Sequence, residues 1–205
     1  MEERLLIVGE DREANAIKEI IEAIQNTMSL EQRQTVAVSI CAVQAEPQTG
    51  AREKAEAEQR QQEQWEQLAI RYPFAAVALP EAKQRLNVIA RLEACCYTII
   101  TLLHPESAVS PAASLGKGCI VYPMAVIEAG ATLGTAVWVK AGAIVERDCL
   151  IGDACLLESG SIVRSGSIVP PGITIRSGEV FCRDAAEVFW ELQQTWDKDS
   201  FEVEM

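Results

Sequence analysis

Histidine is almost missing from this chain: His104 is the only one among 205 residues. A mechanism that needs two histidines, a histidine-rich metal site or a Ser/His/Asp triad built elsewhere in the chain is therefore excluded. Cysteine is present seven times, an odd number, and no two cysteines are spaced as CxxC. Scattered cysteines of this kind predict reduced thiols in a cytoplasmic protein, with neither a disulfide framework nor a zinc site.

Basic residues are also few. The chain has 18 of them against 30 acidic residues, which gives a net charge of -12. A nucleic-acid-binding surface would leave a basic footprint, so a nucleic-acid partner is not expected, and neither is an anionic membrane surface. No apolar run approaches the roughly 18 residues of a membrane span. The acidic N-terminal segment contains only a short apolar run, which is unlike a secretory signal.

The first hundred residues alternate between apolar runs and segments with helical spacing. The predicted strands cover 4–9, 35–43, 74–80 and 97–103, and the predicted helices cover 13–25, 53–72 and 81–94. Alternation of this kind is typical of a small parallel sheet covered by helices. The sequence therefore predicts an N-terminal α/β domain.

A six-residue repeat follows, with one aliphatic residue in each hexad and no insertion. The aliphatic positions are Leu103, Val109, Leu115, Val121, Ile127, Leu133, Val139, Val145, Ile151, Leu157, Val163, Val169 and Ile175. Four positions after each aliphatic residue comes one that is small in most hexads. Six extended residues span roughly 20 Å or less, one short strand and a corner, so three hexads form a triangular coil of eighteen residues. The period predicts a parallel β-helix with the aliphatic side chains inside.

The open ends of such a solenoid need covers. We expect the α/β domain to cover one end. The segment 184–196 has apolar residues at helical spacing and predicts a capping helix at the other end.

The combination of these parts resembles one family of hexapeptide-repeat acyltransferases. The junction (74–113) and the coil segments AVIEAGATLG and AGAIVERDCLIGDACLLESGSIV are similar to those of the sialic acid O-acetyltransferases and UDP-amino-sugar N-acetyltransferases. The resemblance implies a Rossmann-like domain (1–102), a left-handed β-helix (103–182) and a C-terminal helix and tail (183–205). It also implies a homotrimer that binds acetyl-CoA between neighbouring β-helices, a sugar or sugar-nucleotide ligand near the α/β domain, and a histidine base.

The chain departs from that family at the expected sites. Arg147 stands at the catalytic histidine position, and an arginine stays protonated in proteins, so it cannot accept a proton. Leu156 stands at a second histidine position, near the cofactor. The glycine-rich turn after the first strand is replaced by the acidic GEDREA (9–14), and the third strand ends in Pro80 and Glu81. These changes favour a non-catalytic or altered-ligand trimer. The alternative is an acetyl-CoA-dependent O- or N-acetyltransferase, acting on a sugar or sugar nucleotide, with a substitute base.

Five charged residues are the remaining candidates for function. Arg147, Arg164 and Arg183 are predicted to form a basic column that either binds an anion such as the cofactor's diphosphate or pairs with Glu146, Asp148 and Asp184. Arg164, Arg183 and Leu156 are thus the cofactor-binding candidates, and Asp148 and Glu158 are the candidate substitute bases.

Other chemically distinctive residues have simpler interpretations. We interpret Cys149 and Cys155 as packing residues and His104 as a structural contact at the domain junction. Trp138 and Tyr122 are candidates for a subunit interface.

Overall fold

The computed structural model describes residues 4–27, 37–41 and 51–183. Within them the N-terminal part contains four strands and three helices. These are β1 (Arg4–Gly9), α1 (Asp11–Thr27), β2 (Ala37–Cys41), α2 (Ala51–Ala69), β3 (Phe74–Ala78), α3 (Ala82–Ala94) and β4 (Thr98–Ile99). The strands form one parallel sheet in the order β2-β1-β3-β4. The predicted helix over 184–196 lies outside the described residues.

Short strands of two residues each make up the rest of the described chain, and they line three faces of a solenoid. The first face contains β5 (Leu102–Leu103), β8 (Ile120–Val121), β11 (Trp138–Val139), β14 (Leu156–Leu157) and β17 (Thr174–Ile175). The second contains β6 (Ala108–Val109), β9 (Val126–Ile127), β12 (Ile144–Val145), β15 (Ile162–Val163) and β18 (Val180–Phe181). The third contains β7 (Ser114–Leu115), β10 (Thr132–Leu133), β13 (Leu150–Ile151) and β16 (Ile168–Val169).

The parallel β-helix predicted from the hexad period is confirmed. Val121 pairs with Val139, which in turn pairs with Leu157, so each coil takes eighteen residues. The second residue of each strand points inward. From Val121 to Ile175 these aliphatic side chains are buried in one core, together with the small residues predicted to lie beside them.

The predicted strand 97–103 is wrong as a single strand. The structure has β4 paired with β3 in the parallel sheet and β5 paired with β8 in the solenoid. Between them, the Ile100 amide still bonds to the Ala75 carbonyl at 3.0 Å, whereas the Thr101 hydroxyl bonds to the Gly116 carbonyl at 2.9 Å. The apolar run is continuous because its residues are buried against two different sheets in succession.

We expected the N-terminal part to cover one end of the solenoid. In the structure it lies along the side of the solenoid instead. Ile17 and Ile20 of α1 share one core with Leu102, Ile120 and Trp138, the outward residues of the first face. These outward residues are large and apolar and would face water without a cover. The hexad period marks only the inward positions, so the sequence did not predict this packing surface.

Trp138 is consequently not at a subunit interface, which corrects the interpretation from sequence. Its side chain is fully buried within the chain. The Cζ atom of Arg85 lies 4.8 Å from the centre of its ring, and the Nζ atom of Lys140 lies 4.7 Å from it. The indole therefore belongs to the contact between the helices and the solenoid.

Candidate functional site

The turn between β12 and β13 contains Arg147 and Asp148, the residues at the level where the resemblance places a catalytic base. The Arg147 side chain is 71% exposed, and its Nε atom lies 3.9 Å from the Glu128 carboxylate in the coil below. Asp148 has a left-handed backbone, with φ of 57°, and its side chain packs over Gly130. Asp148 is exposed, and no hydrogen bond or ion pair of its side chain is found within the described residues. This turn therefore presents an accessible cation beside an accessible carboxylate.

Arg164 lies one coil above this turn but is not stacked on Arg147. The eighteen-residue step places it above Glu146, whose Oε1 atom accepts a hydrogen bond from Arg164 Nη1 at 2.9 Å. The other oxygen, Oε2, accepts from the Ser165 amide at 2.9 Å and hydroxyl at 3.0 Å. The hydrogen bonds from Ser165, with the charge of Arg164, lower the pKa of Glu146 below its usual value. Arg164 is thus engaged in an ion pair, one of the two interpretations left open by the sequence.

Arg183 lies on the same corner one coil further along. Its carbonyl accepts a hydrogen bond from the Ile168 amide at 2.9 Å, and its own amide lies 3.4 Å from the Ser167 hydroxyl. The three arginines therefore share one corner of the solenoid, in successive coils. Arg147 and Arg164 each lie beside a glutamate.

Glu158 lies on a different corner from Asp148, between the first and second faces. Its Oε2 atom accepts hydrogen bonds from the amide and the hydroxyl of Ser177, both at 3.1 Å. This repeats the arrangement of Glu146 with Ser165 and ties two coils together. The structure therefore does not bring the two candidate bases to one site.

Leu156 is also separated from the Arg147 turn. It is the outward residue of β14 on the first face and is partly buried against the core formed with α1. Its position predicts a packing role toward the N-terminal helices.

A column of polar residues that the sequence reasoning missed lies along the corner between the first and second faces. Steps of eighteen residues place one residue per coil there: His104, Tyr122, Lys140, Glu158 and Arg176. Counting eighteen from the lone histidine would have found this column in the sequence. The Nδ1 atom of His104 accepts a hydrogen bond from the Glu106 amide at 3.1 Å, which agrees with a structural contact.

Lys140 links that column to the N-terminal part. Its Nζ atom lies 2.8 Å from the Glu13 carboxylate in the first turn of α1 and donates a hydrogen bond to the Tyr122 hydroxyl at 3.0 Å. The ammonium also lies 4.2 Å from the centre of the Tyr122 ring. Burial raises the pKa of Tyr122, although its hydrogen bond with Lys140 opposes the shift. The acidic turn after β1 therefore contacts the solenoid through Glu13.

Gly9 at the end of β1 has no room for a side chain, because a Cβ atom there would overlap the backbone and the side chain of Ala78 in β3.

Within residues 4–27, 37–41 and 51–183, no group of three or more histidine, cysteine, aspartate or glutamate side chains is arranged to hold a metal ion. The same residues include no helix long and apolar enough to cross a membrane.

Neither protein-family models nor curated protein sequences match this chain. Solved structures do. PerB from Caulobacter crescentus, in complex with CoA and GDP-perosamine, is 21% identical with a TM-score of 0.66, over 88% of this chain and 89% of that one. The acetyltransferase domain of PglB from Neisseria gonorrhoeae, in complex with acetyl coenzyme A, is 18% identical with a TM-score of 0.59, over 90% and 93%.

WeeI from Acinetobacter baumannii is 13% identical with a TM-score of 0.51, over 86% of this chain and 93% of that one. This chain shares the fold of hexapeptide-repeat sugar acetyltransferases. The resemblance inferred from the sequence is therefore confirmed for the fold, and it extends over nearly the whole chain.

Proposed function

We propose that this protein is an acetyl-CoA-dependent acetyltransferase that acts on the amine or hydroxyl of a sugar or sugar nucleotide. The observation that supports this most is the fold shared over 88% of the chain with an enzyme structure holding both CoA and GDP-perosamine. The sequence favoured a non-catalytic protein instead. That preference has no support from the structural neighbours, which back the alternative better.

The proton acceptor in this proposal is Asp148. A general base must be accessible to the acceptor group, and Asp148 is exposed next to Arg147. Glu158 is the weaker candidate because the amide and the hydroxyl of Ser177 already occupy its Oε2 atom and hold the carboxylate between two coils.

The phosphates of the cofactor are proposed to bind along the arginine corner. Arg147 supports this best because most of its side chain is exposed and its nearest carboxylate is 3.9 Å away. Arg164 would contribute only by exchanging Glu146 for a phosphate, since a charge-assisted bond at 2.9 Å must first be broken. Arg183 and Leu156 remain predictions as cofactor contacts.

Assembly into a homotrimer is proposed for the second face of the solenoid. The outward residues of its five strands form an apolar ladder whose members are partly or largely exposed: Ala108, Val126, Ile144, Ile162 and Val180. Such a face suits a ring of identical subunits, in which one corner meets a different corner of the next copy. A cytoplasmic location is proposed with it, on the basis of the reduced thiols expected from the sequence.

The test measures binding and transfer separately. Acetyl-CoA is titrated into the protein by calorimetry, and acetylated products of GDP- and UDP-linked amino sugars and of free sialic acids are then detected by mass spectrometry. We expect binding of acetyl-CoA and an acetylated product for at least one acceptor class. Asp148→Asn should reduce the transfer rate by about 100-fold without changing acetyl-CoA binding, whereas the matched variant Glu158→Gln should keep most of the activity.

A different pattern would contradict each part of the proposal. Unchanged acetyl transfer in Asp148→Asn would exclude Asp148 as the base, but the proposed acetyltransferase activity would stand. No binding of acetyl-CoA and no product with any acceptor would favour the second candidate, a non-catalytic protein, for which Arg147 at the expected histidine position is the specific observation.

A further inference from the structure

The Lys140 ammonium lies in a cradle of aromatic and polar groups on the side of the solenoid that faces α1. Two aromatic rings flank it, with centres 4.2 Å away for Tyr122 and 4.7 Å away for Trp138. The Tyr122 hydroxyl accepts its hydrogen bond at 3.0 Å. Aromatic faces stabilise a cation and restrict its movement, so the ammonium is held in a fixed position.

The carboxylate of Glu13 occupies this cradle. Its Oε2 atom lies 2.8 Å from Lys140 Nζ. The anion is thus held by the Lys140 ammonium, and the Tyr122 hydroxyl lies beside that ammonium in the adjacent coil, with its own proton left to donate. Glu13 comes from α1, more than a hundred positions earlier in the chain, and only this side chain joins the first turn of the helix to Lys140.

The cradle remains open to water on one side. The Lys140 side chain is 19% exposed and that of Glu13 is 20% exposed, so another anion could reach the ammonium once Glu13 moves away. The deeper wall contains the indole of Trp138, which is fully buried and whose Nε1 atom has no hydrogen-bond partner among the described residues. A buried donor without a protein partner requires an explanation, such as a bound group or an ordered water.

A permanent ion pair gives little stability in such a place. The attraction between two largely buried charges is offset by the loss of their hydration and of side-chain freedom, so the pair contributes only modestly. An anion site that is filled by the chain's own carboxylate explains the same contacts and also explains the exposure.

We propose that Lys140 and Tyr122 form a binding site for an anionic group, a carboxylate or a phosphate, and that Glu13 occupies it as an internal competitor until the ligand displaces it. The identity of the molecule bearing this anion, an acidic sugar or a sugar phosphate acceptor, rests on the proposed function. The binding of a simple anion at Lys140 is independent of the proposed function.

The experiment uses simple anions and the full-length chain. Thermal unfolding is followed with increasing sodium acetate or sodium phosphate, against sodium chloride at the same ionic strength. Glu13→Ala should be stabilised at about tenfold lower concentrations of acetate or phosphate than the wild type, the change produced by removing roughly 1.4 kcal/mol of internal competition. The control variant Glu19→Ala, an exposed glutamate of the same helix, should respond as the wild type does.

Further variants separate this site from general salt effects. Adding Tyr122→Phe to Glu13→Ala keeps the aromatic ring and removes the hydroxyl, so the gain should diminish, and adding Lys140→Met should abolish it. Glu13→Gln provides the same test if Glu13→Ala does not fold. A response to acetate would identify a carboxylate site and a response to phosphate alone a phosphoryl site.

The proposal is overturned if Glu13→Ala and Glu13→Gln respond to both anions as the wild type does, or if the gain persists with Lys140→Met. Either result is independent of acetyl transfer, so failure of this inference and failure of the proposed function can be told apart.

Discussion

The guanidinium of Arg85 lies against the ring of Trp138, and both side chains are fully buried between α3 and the solenoid. Arg85 donates hydrogen bonds only to backbone carbonyls, at 2.6 Å to 3.0 Å, on both sides of that contact: Leu79, Pro80, Ala136 and Ala154. Burial lowers its pKa to about 10, which leaves it protonated at neutral pH. One side chain thus satisfies four carbonyls where two parts of the chain meet.

Replacing Arg85 should destabilise the protein strongly. Arg85→Met fills much of the space but leaves three buried carbonyls and the partly buried carbonyl of Pro80 without a donor, and these carbonyls cannot be removed by mutation. We expect the free energy of unfolding to fall by about 3 kcal/mol or more, measured by urea denaturation. The exposed Arg176→Met should change it by less than about 0.5 kcal/mol. Equal stability of both variants would show that the hydrogen bonds of Arg85 contribute nothing.

The glycines at one corner of the solenoid are required for the stacking of the coils. A Cβ atom on Gly134 would lie 2.8 Å from the Asp153 backbone nitrogen in the next coil, closer than real side chains approach. At Gly160 a Cβ atom would meet nothing within 4 Å, and only its φ of 70° opposes a side chain. Gly160→Ala should therefore lower the free energy of unfolding by about 1 kcal/mol, and Gly134→Ala should lower it by more. Urea denaturation measures both. A smaller loss for Gly134→Ala would contradict the steric argument.

The thiols inside the solenoid should be protected from alkylation. Burial raises the pKa of Cys119 to about 11, and it also raises the pKa of Cys149 and Cys155. Because the thiolate is the reactive form, these three should resist iodoacetamide at pH 8, whereas the exposed Cys96 and Cys182 react. Peptide mass spectrometry before and after unfolding distinguishes the two groups. If Cys119 in the folded protein is labelled as fast as Cys96, the predicted protection by burial is wrong.

The same shift predicts loss of stability at high pH. The pKa of Cys119 is higher in the folded protein than its ordinary value of 9.0, so unfolding releases a proton between these values. Its contribution to stability is complete below pH 9 and is lost as the pH rises toward 11, by about 1 to 2 kcal/mol. The free energy of unfolding of Cys119→Ala should fall less over this interval. If the free energy of unfolding falls equally with pH in the wild type and in Cys119→Ala, the loss of stability at high pH comes from other groups.

A charge placed on the apolar ladder of the second face should prevent assembly. Ile144→Glu introduces a carboxylate in the middle of the ladder, where contact with another copy would bury it without a partner. We expect a trimer for the wild type and a monomer for Ile144→Glu, by light scattering after size exclusion. Thr174→Glu, an exposed outward position on the first face, should stay trimeric. A wild-type monomer would overturn the trimer proposal.

The hexad period predicted the inward residues of the solenoid well because each coil repeats the same local geometry. The predicted pairing of an arginine with Glu146 also agrees with the structure, since two residues about eighteen positions apart must be vertical neighbours. The outward residues of the first face were not predicted, because nothing in the period says which face a separate segment will cover. The division of the chain at 102 and 182 stays a prediction.

The sequence by itself determined the coil, its core and the lack of a histidine at Arg147, because these depend on residue identity and on a period of six. Only the tertiary structure decided that α1 and α3 lie along the side of the solenoid. It also decided that Glu13 meets Lys140 and that Arg85 serves carbonyls from two parts of the chain. These contacts join residues dozens to more than a hundred positions apart, and long-range packing of that kind leaves no periodic mark in the sequence.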